Sequence, residues 1–153
     1  PTPQLQRFSV GDIIDDVVTQ ETLTLESANQ IQFQVTCNVD QVRADPEQLY
    51  RVLQNLVRNA RQAFGASHGQ IDIVVGEDEA NWTITIRDNG PGLPKKAVEH
   101  LFHPFNGGTK REGSGLGLAI AHELVVGHGG TLELQHNSEN GACFQITLPK
   151  GEI

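Results

Sequence analysis

The 153-residue chain is 37% hydrophobic and 20% charged, an ordinary balance for one domain with a single core. No apolar run approaches the roughly 18 residues of a membrane span, and the net charge of −8 argues against a surface built mainly for nucleic acid or anionic lipid. Its two cysteines, Cys37 and Cys143, are too few and too far apart for a zinc site or a disulfide framework, as expected for a protein of the reducing cytoplasm.

The opening PTPQLQRF lacks an initiator Met and the apolar stretch of a signal peptide. It reads as a cut in a linker, which sets an expected linker remnant at 1–7, a domain at 8–149 and a tail at 150–153. Ser9 and Asp12 stand like a capping pair, and Ile14, Val17, Val18, Leu25 and Ala28 recur at three- and four-residue spacings, predicting an amphipathic helix over about 9–28. IQFQVTCNVD alternates strictly, so Ile31, Phe33, Val35, Cys37 and Val39 form the apolar face of a strand, with Cys37 as packing. Asp45-Pro46-Glu47-Gln48 predicts a helix start: Asp45 is the N-cap, Pro46 takes the first helical position and Gln48 closes a capping box.

That helix is predicted to run to Phe64, with Leu49, Val52, Leu53, Leu56, Ala60, Ala63 and Phe64 on one face and Arg51 and Arg58 opposite. Strands are predicted at about 70–76 and 81–88, then a long connection over about 89–113, a helix at about 114–126, and strands at about 131–136 and 143–148 that turn at Asn140-Gly141. Two hairpins among helices rule out a regular βαβ alternation. The fold class is α+β, a two-layer sandwich with a mixed sheet and helices packed on one face.

Three places can carry chemistry. Asn55 and Asn59 lie one turn apart at the edge of the apolar stripe, with Gln62 beside them, and their carbonyl oxygens suit a hard cation such as Mg²⁺; the same spacing also describes two surface amides. Asp88 continues the parity of Trp82, Ile84 and Ile86, which aims its carboxylate at the buried side where the strand ends. A buried carboxylate needs a donor, from the protein or from a ligand's exocyclic amine, whereas an exposed Asp in a hairpin turn needs none. The glycines of Gly113-Ser114-Gly115-Leu116-Gly117-Leu118 precede a helix directly and offer backbone N–H groups to an anion at the positive end of its dipole. Their spacing matches neither a dinucleotide fingerprint nor a Walker A loop. Lys110 and Arg111 stand just upstream and add positive charge.

In order along the chain, Asn55-Leu56-Val57-Arg58-Asn59-Ala60, Asp88-Asn89-Gly90-Pro91-Gly92-Leu93, Leu101-Phe102-His103-Pro104-Phe105 and Gly113-Ser114-Gly115-Leu116-Gly117-Leu118 resemble the N, G1, F and G2 boxes of the ATP-binding catalytic domain of sensor histidine kinases. The resemblance covers about 8–149. It implies a Bergerat-type fold and an ATP site in which Asp88 accepts from the adenine amino group, Asn59 ligates Mg²⁺ and Asn55 assists at the metal. It further implies that Gly90 and Gly92 shape the adenine wall, that Leu93 and Phe105 line the site, and that Ser114, Gly115, Leu116, Gly117 and Leu118, with Lys110 and Arg111, hold phosphate. Lys110 joins Asn55 and Asn59 as an expected catalytic group.

Hydrolases of the same superfamily carry a Glu at the position of Asn55, and an amide cannot take a proton from water, so phosphoryl transfer fits better than hydrolysis. Gln62 stands where many members have Lys or Arg. None of the six histidines has the setting of a phosphoacceptor, so all are expected to be structural or surface residues. The resemblance therefore implies a separate dimerisation and phosphoacceptor helical domain and a response-regulator receiver domain as partners. It implies no nucleic acid, no direct membrane contact, a monomeric isolated domain, a homodimeric parent and a cytoplasmic location, whether or not the parent is membrane-anchored. The alternatives are a docking module of the same fold that has lost nucleotide binding and a serine kinase of the anti-sigma-factor type.

Overall fold

The computed structural model describes residues 2–23, 31–65, 67–103 and 116–151. Its main sheet has five strands: β2 (Ile31–Cys37), β4 (Gly69–Glu77), β5 (Asn81–Asp88), β7 (Gly141–Pro149) and β6 (Thr131–Ser138), in that spatial order. The β2–β4 pair is parallel and the others are antiparallel, so the sheet is mixed. Helices α1 (Val10–Leu23), α2 (Pro46–Phe64), α3 (Lys95–Glu99) and α4 (Leu116–Gly127) complete the described helices. Two short strands, β1 (Gln6–Ser9) and β3 (Gln41–Ala44), pair antiparallel with each other.

Period-two alternation decides which face of the sheet is dry. Ile71, Ile73 and Val75 on β4, Trp82, Ile84 and Ile86 on β5, and Phe144, Ile146 and Leu148 on β7 are buried in one cluster with the apolar faces of α1, α2 and α4. Edge strand β2 is less well covered: Ile31 is buried, Phe33 and Cys37 are half-buried, and Val35 is exposed. It ends at Cys37 rather than running on through Val39, because the chain bends at Asp40 to start β3. Val39 is nevertheless buried, and its carbonyl accepts from the Cys37 thiol at 3.2 Å.

Strands β1 and β3 carry four residues each, too few for a periodic signal, and β1 starts inside the stretch read as linker. The start of α1 is as expected, with the Asp12 N–H donating to Ser9 Oγ at 3.2 Å. Of the residues expected to end that helix, Leu25 and Ala28 lie outside the described residues.

Helix α1 buries Val10, Ile14, Val17 and Glu21, a stripe whose last member is a carboxylate with only 1% exposure. The charge is matched from α2: Arg61 Nε donates to Glu21 at 2.8 Å and an Arg58 Nη at 3.3 Å. Arg58 therefore faces α1 instead of lying free on the far side of α2. Val57 is buried on that same side, a position missing from the predicted apolar face. Replacing Glu21 by Ala leaves two guanidinium groups without their carboxylate, and because Arg58 is 42% exposed only Arg61 bears the full penalty. The expected loss is about 2–3 kcal/mol in urea unfolding at neutral pH.

At the start of α2, Asp45 caps as expected: its Oδ1 accepts from the Glu47 and Gln48 N–H groups at 3.1 and 3.2 Å. Gln48 does not close the box. Its buried Oε1 has no hydrogen-bond partner among the described residues, and the Asp45 N–H that a box would satisfy donates instead to His128 Nε2 at 3.1 Å. Burial pushes the Asp45 carboxyl up, but N–H donors from Gln4, Gln48 and Glu47 outweigh it and, with His128 nearby, hold it below its ordinary value of 3.8. A depressed carboxyl contributes stability that is present above the unfolded pKa and lost as pH falls through the folded one. Stability measured from pH 7 down to pH 3 is thus expected to fall less steeply below about 4 in Asp45→Asn than in the wild type.

Candidate nucleotide site

Asp88 ends β5 on the dry face, in register with Ile71 of β4, and is 8% exposed. Its Oδ1 accepts from the Gly90 N–H at 2.9 Å and the Ala142 N–H at 3.4 Å. Among the described residues nothing donates to Oδ2, which leaves one lone-pair face of a buried carboxylate for a ligand. Desolvation raises the Asp88 pKa, and the two backbone donors offset this only in part. Of the two readings open from sequence, the structure selects the buried carboxylate.

Glycines close the surroundings of Asp88. A Cβ on Gly90 would lie 3.1 Å from the Phe64 ring and 3.3 Å from Asp88 Oδ1. Gly92 has φ +81°, and a Cβ there would fall 2.1 Å from the Ser138 carbonyl. Both glycines thus answer to protein packing as well as to any ligand. Leu93 is held by a residue the sequence reading missed: Asn137 accepts the Leu93 N–H on Oδ1 at 2.8 Å and donates Nδ2 to the Leu93 carbonyl at 3.1 Å. A register shift between Leu134 and His136 in β6 precedes this contact. Gly141, a turn residue by its sequence, also packs on the Asp88 carbonyl. No spacing rule announces either role.

Asn55 and Asn59 are half-buried one turn apart on α2. Gly117 packs on the Asn55 side chain, where an added Cβ would meet Cγ and Oδ1 at 3.6 Å. Asn55 Nδ2 is buried with no hydrogen-bond partner among the described residues, a donor that suits an anionic group such as phosphate. The amide oxygens of Asn55 and, one turn away, Asn59 suit Mg²⁺ held by neutral oxygens together with phosphate and water.

Leu116, Gly117 and Leu118 open the described part of α4. Their side chains diverge: Leu118 is core, whereas Leu116 is 53% exposed. Phe102, from the F box, stacks on His122 of α4 with ring centroids 4.4 Å apart and planes at 8°. His122 and His128 therefore have structural partners. Phe105, Lys110, Arg111, Ser114 and Gly115 lie outside the described residues.

The site runs along α2. Asn55 touches Gly117 of α4, while Phe64, nine residues on, touches Gly90 beside Asp88, a separation of about 14 Å along the helix axis. The span thus carries the buried Asp88 carboxylate at one end, the Gly117 contact at the other and the two amides of α2. No helix among the described residues is long and apolar enough to cross a membrane.

Comparison with known proteins agrees. Residues 44–152 match the family described as histidine kinase-, DNA gyrase B-, and HSP90-like ATPase, and the chain belongs to that family. It is 40% identical over 131 residues to the sensor histidine kinase ZraS of Escherichia coli O157:H7, covering 83% of this chain but 28% of that one. It is 34% identical over 109 residues to sporulation kinase A of Bacillus subtilis, covering 71% of this chain and 18% of that one. Among solved structures, the catalytic domain of histidine kinase ThkA superposes with a TM-score of 0.83 at 30% identity, covering 96% of each chain. ThkA in complex with the response regulator TrrA also matches, with a TM-score of 0.79 at 26% identity, over 97% of this chain and 42% of that one. The expected α+β sandwich and family are thereby established, and the family implies nucleotide binding. The chain spans 28% and 18% of the length of these two curated relatives.

Proposed function

We propose that this chain is the catalytic ATP-binding part of a sensor histidine kinase, with its domain over 8–149, and that it passes the γ-phosphoryl group of ATP to a histidine on a separate helical domain. The observation that carries this reading is the span along α2, with Asp88 Oδ2, to which no described residue donates, at one end and Asn55 against Gly117 at the other. Asp88 accepts the adenine amino group, the α4 N–H groups with Lys110 and Arg111 hold phosphates, and Asn59 and Asn55 face the metal. Mg²⁺ brought with the nucleotide supplies neutralisation of phosphate charge.

The bond from the γ-phosphorus to the bridging oxygen breaks, ADP leaves, and an imidazole nitrogen of the acceptor takes the phosphoryl group and releases its proton. Asn55 bears no basic group for activating water, which favours transfer over hydrolysis. The partners proposed are the dimerisation and phosphoacceptor domain and a response-regulator receiver domain, in the cytoplasm, with this domain alone a monomer. Calorimetric titration with Mg-ATP and Mg-ADP, followed by incubation with a matched helical domain and radiolabelled ATP, tests the reading. Saturable binding and an acid-labile phosphoprotein are expected. An acid-stable product would indicate a serine kinase instead, and a folded domain that binds neither nucleotide would indicate a docking module.

A further inference from the structure

Helix α4 ends in a Schellman motif: the Gly130 N–H donates to the Val125 carbonyl at 3.1 Å and the Gly129 N–H to the Val126 carbonyl at 2.8 Å, with Gly129 at φ +80°. His128 is the C-cap residue, and its tautomer follows from its neighbours. A backbone N–H can only donate, so Nε2, which faces the Asp45 N–H at 3.1 Å, is the acceptor. The hydrogen then sits on Nδ1, which donates to the Leu124 carbonyl at 2.9 Å. The imidazole thus joins the last turn of α4 to the N-cap of α2.

The two helices run antiparallel, and the N-cap contact lies at the opposite end of the pair from Asn55 and Gly117. From Asp45 to Asn55 is ten residues on α2; from Gly117 to His128 is eleven along α4. The rises are about 15 and 16 Å, so the two contacts belong to one alignment of α2 against α4. A third segment reaches the same carboxylate. The Gln4 N–H donates to Asp45 Oδ2 at 2.8 Å, just before β1 pairs with β3 at Gln6 and Ala44.

We infer that Asp45 and His128 are positioning residues whose hydrogen bond fixes the alignment of α2 against α4, placing Asn55 opposite Gly117, and that Gln4, tied to the same carboxylate, makes this alignment answer to the chain entering the domain. Packed helices shift between discrete arrangements, so freeing one end of the pair moves the other. The affinity consequence rests on the nucleotide-binding reading; the alignment itself does not.

Two measurements on the whole 153-residue chain test it at a temperature where circular dichroism shows each variant folded. The first follows, by NMR without nucleotide, the Gly117 amide and the Asn55 side-chain amide. The second is Mg-ATP affinity. His128→Leu leaves the Asp45 N–H unpaired and is expected to shift both resonances and weaken binding about tenfold. His128→Gln restores an acceptor and is expected to return binding to within about threefold of wild type. A purely structural role would lower the melting temperature of His128→Leu while leaving resonances and affinity unchanged, which overturns the inference.

Gln4→Pro removes the N–H that meets Oδ2, while also fixing φ at this exposed position, and serves if His128→Leu does not fold. It is expected to shift the same resonances, and their constancy overturns the link to the entering chain. A wild type that binds no nucleotide sinks the proposed function, and the resonances still decide the alignment.

Discussion

Asp88→Asn is expected to weaken Mg-ATP binding by about a hundredfold, the scale of one charge-assisted hydrogen bond lost in a desolvated site. The substitution keeps an acceptor oxygen for the Gly90 and Ala142 N–H groups, so the loop geometry survives. What changes is the atom at Oδ2, where an amide NH₂ would face the adenine amino group, donor against donor.

The same substitution is expected to raise the stability of the nucleotide-free domain at neutral pH. Burial raises the Asp88 pKa in the folded state. A raised carboxyl contributes stability that is fully present below the unfolded pKa and is lost as pH rises through the folded pKa. The wild type therefore carries the cost of an ionised buried group at neutral pH, and the amide does not. Calorimetry of nucleotide binding together with urea unfolding reads both effects. Lower affinity with lower stability would mean that Asp88 is simply part of the core. An amino group donated to Oδ2 favours the ionised form, so proton release on binding is expected at acidic pH, where the free carboxyl is partly protonated; titrations in buffers of different ionisation enthalpy would detect it.

That cost in stability is what makes Asp88 legible in sequence. A carboxylate continuing the parity of Trp82, Ile84 and Ile86 breaks the local rule for a buried position, and such violations concentrate at functional sites. Glu21 breaks the same rule on α1 for a different reason. Its partners Arg58 and Arg61 come from α2, and a helical wheel places them relative to their own helix without saying which neighbour packs there. Val57 escaped notice for that reason too.

Local chemistry announced the caps at Ser9 and Asp45, the strands of both hairpins and the long amphipathic α2, because each is specified within a few residues. Contacts between distant segments were silent. Nothing near Asp45 in sequence shows that His128, 83 residues away, takes the N–H assigned to Gln48. Nor does any period show that Asn137 brackets Leu93.

Gly141 is the strongest case of a silent contact, and Gly141→Ala is expected to destabilise the domain by about 2–4 kcal/mol and to abolish most nucleotide affinity. Two costs combine there. Its φ of +134° is a conformation that side chains rarely adopt, and a Cβ would stand 2.0 Å from the Asp88 carbonyl oxygen and 3.0 Å from its carbon. Those are backbone atoms, so no rotamer change relieves the clash. Either the β6–β7 turn or the end of β5 must move.

The next residue, Ala142, donates to Asp88 Oδ1, so the displacement reaches the carboxylate proposed to receive the base. Gly65→Ala makes a sharp control, because Gly65 also has positive φ, at +58°, but nothing stands within 4 Å of the added Cβ. Its expected cost is only the backbone term, about 1–3 kcal/mol, with nucleotide affinity preserved. Comparable losses of affinity in the two variants would show that conformational strain alone, and not the contact with Asp88, accounts for the effect.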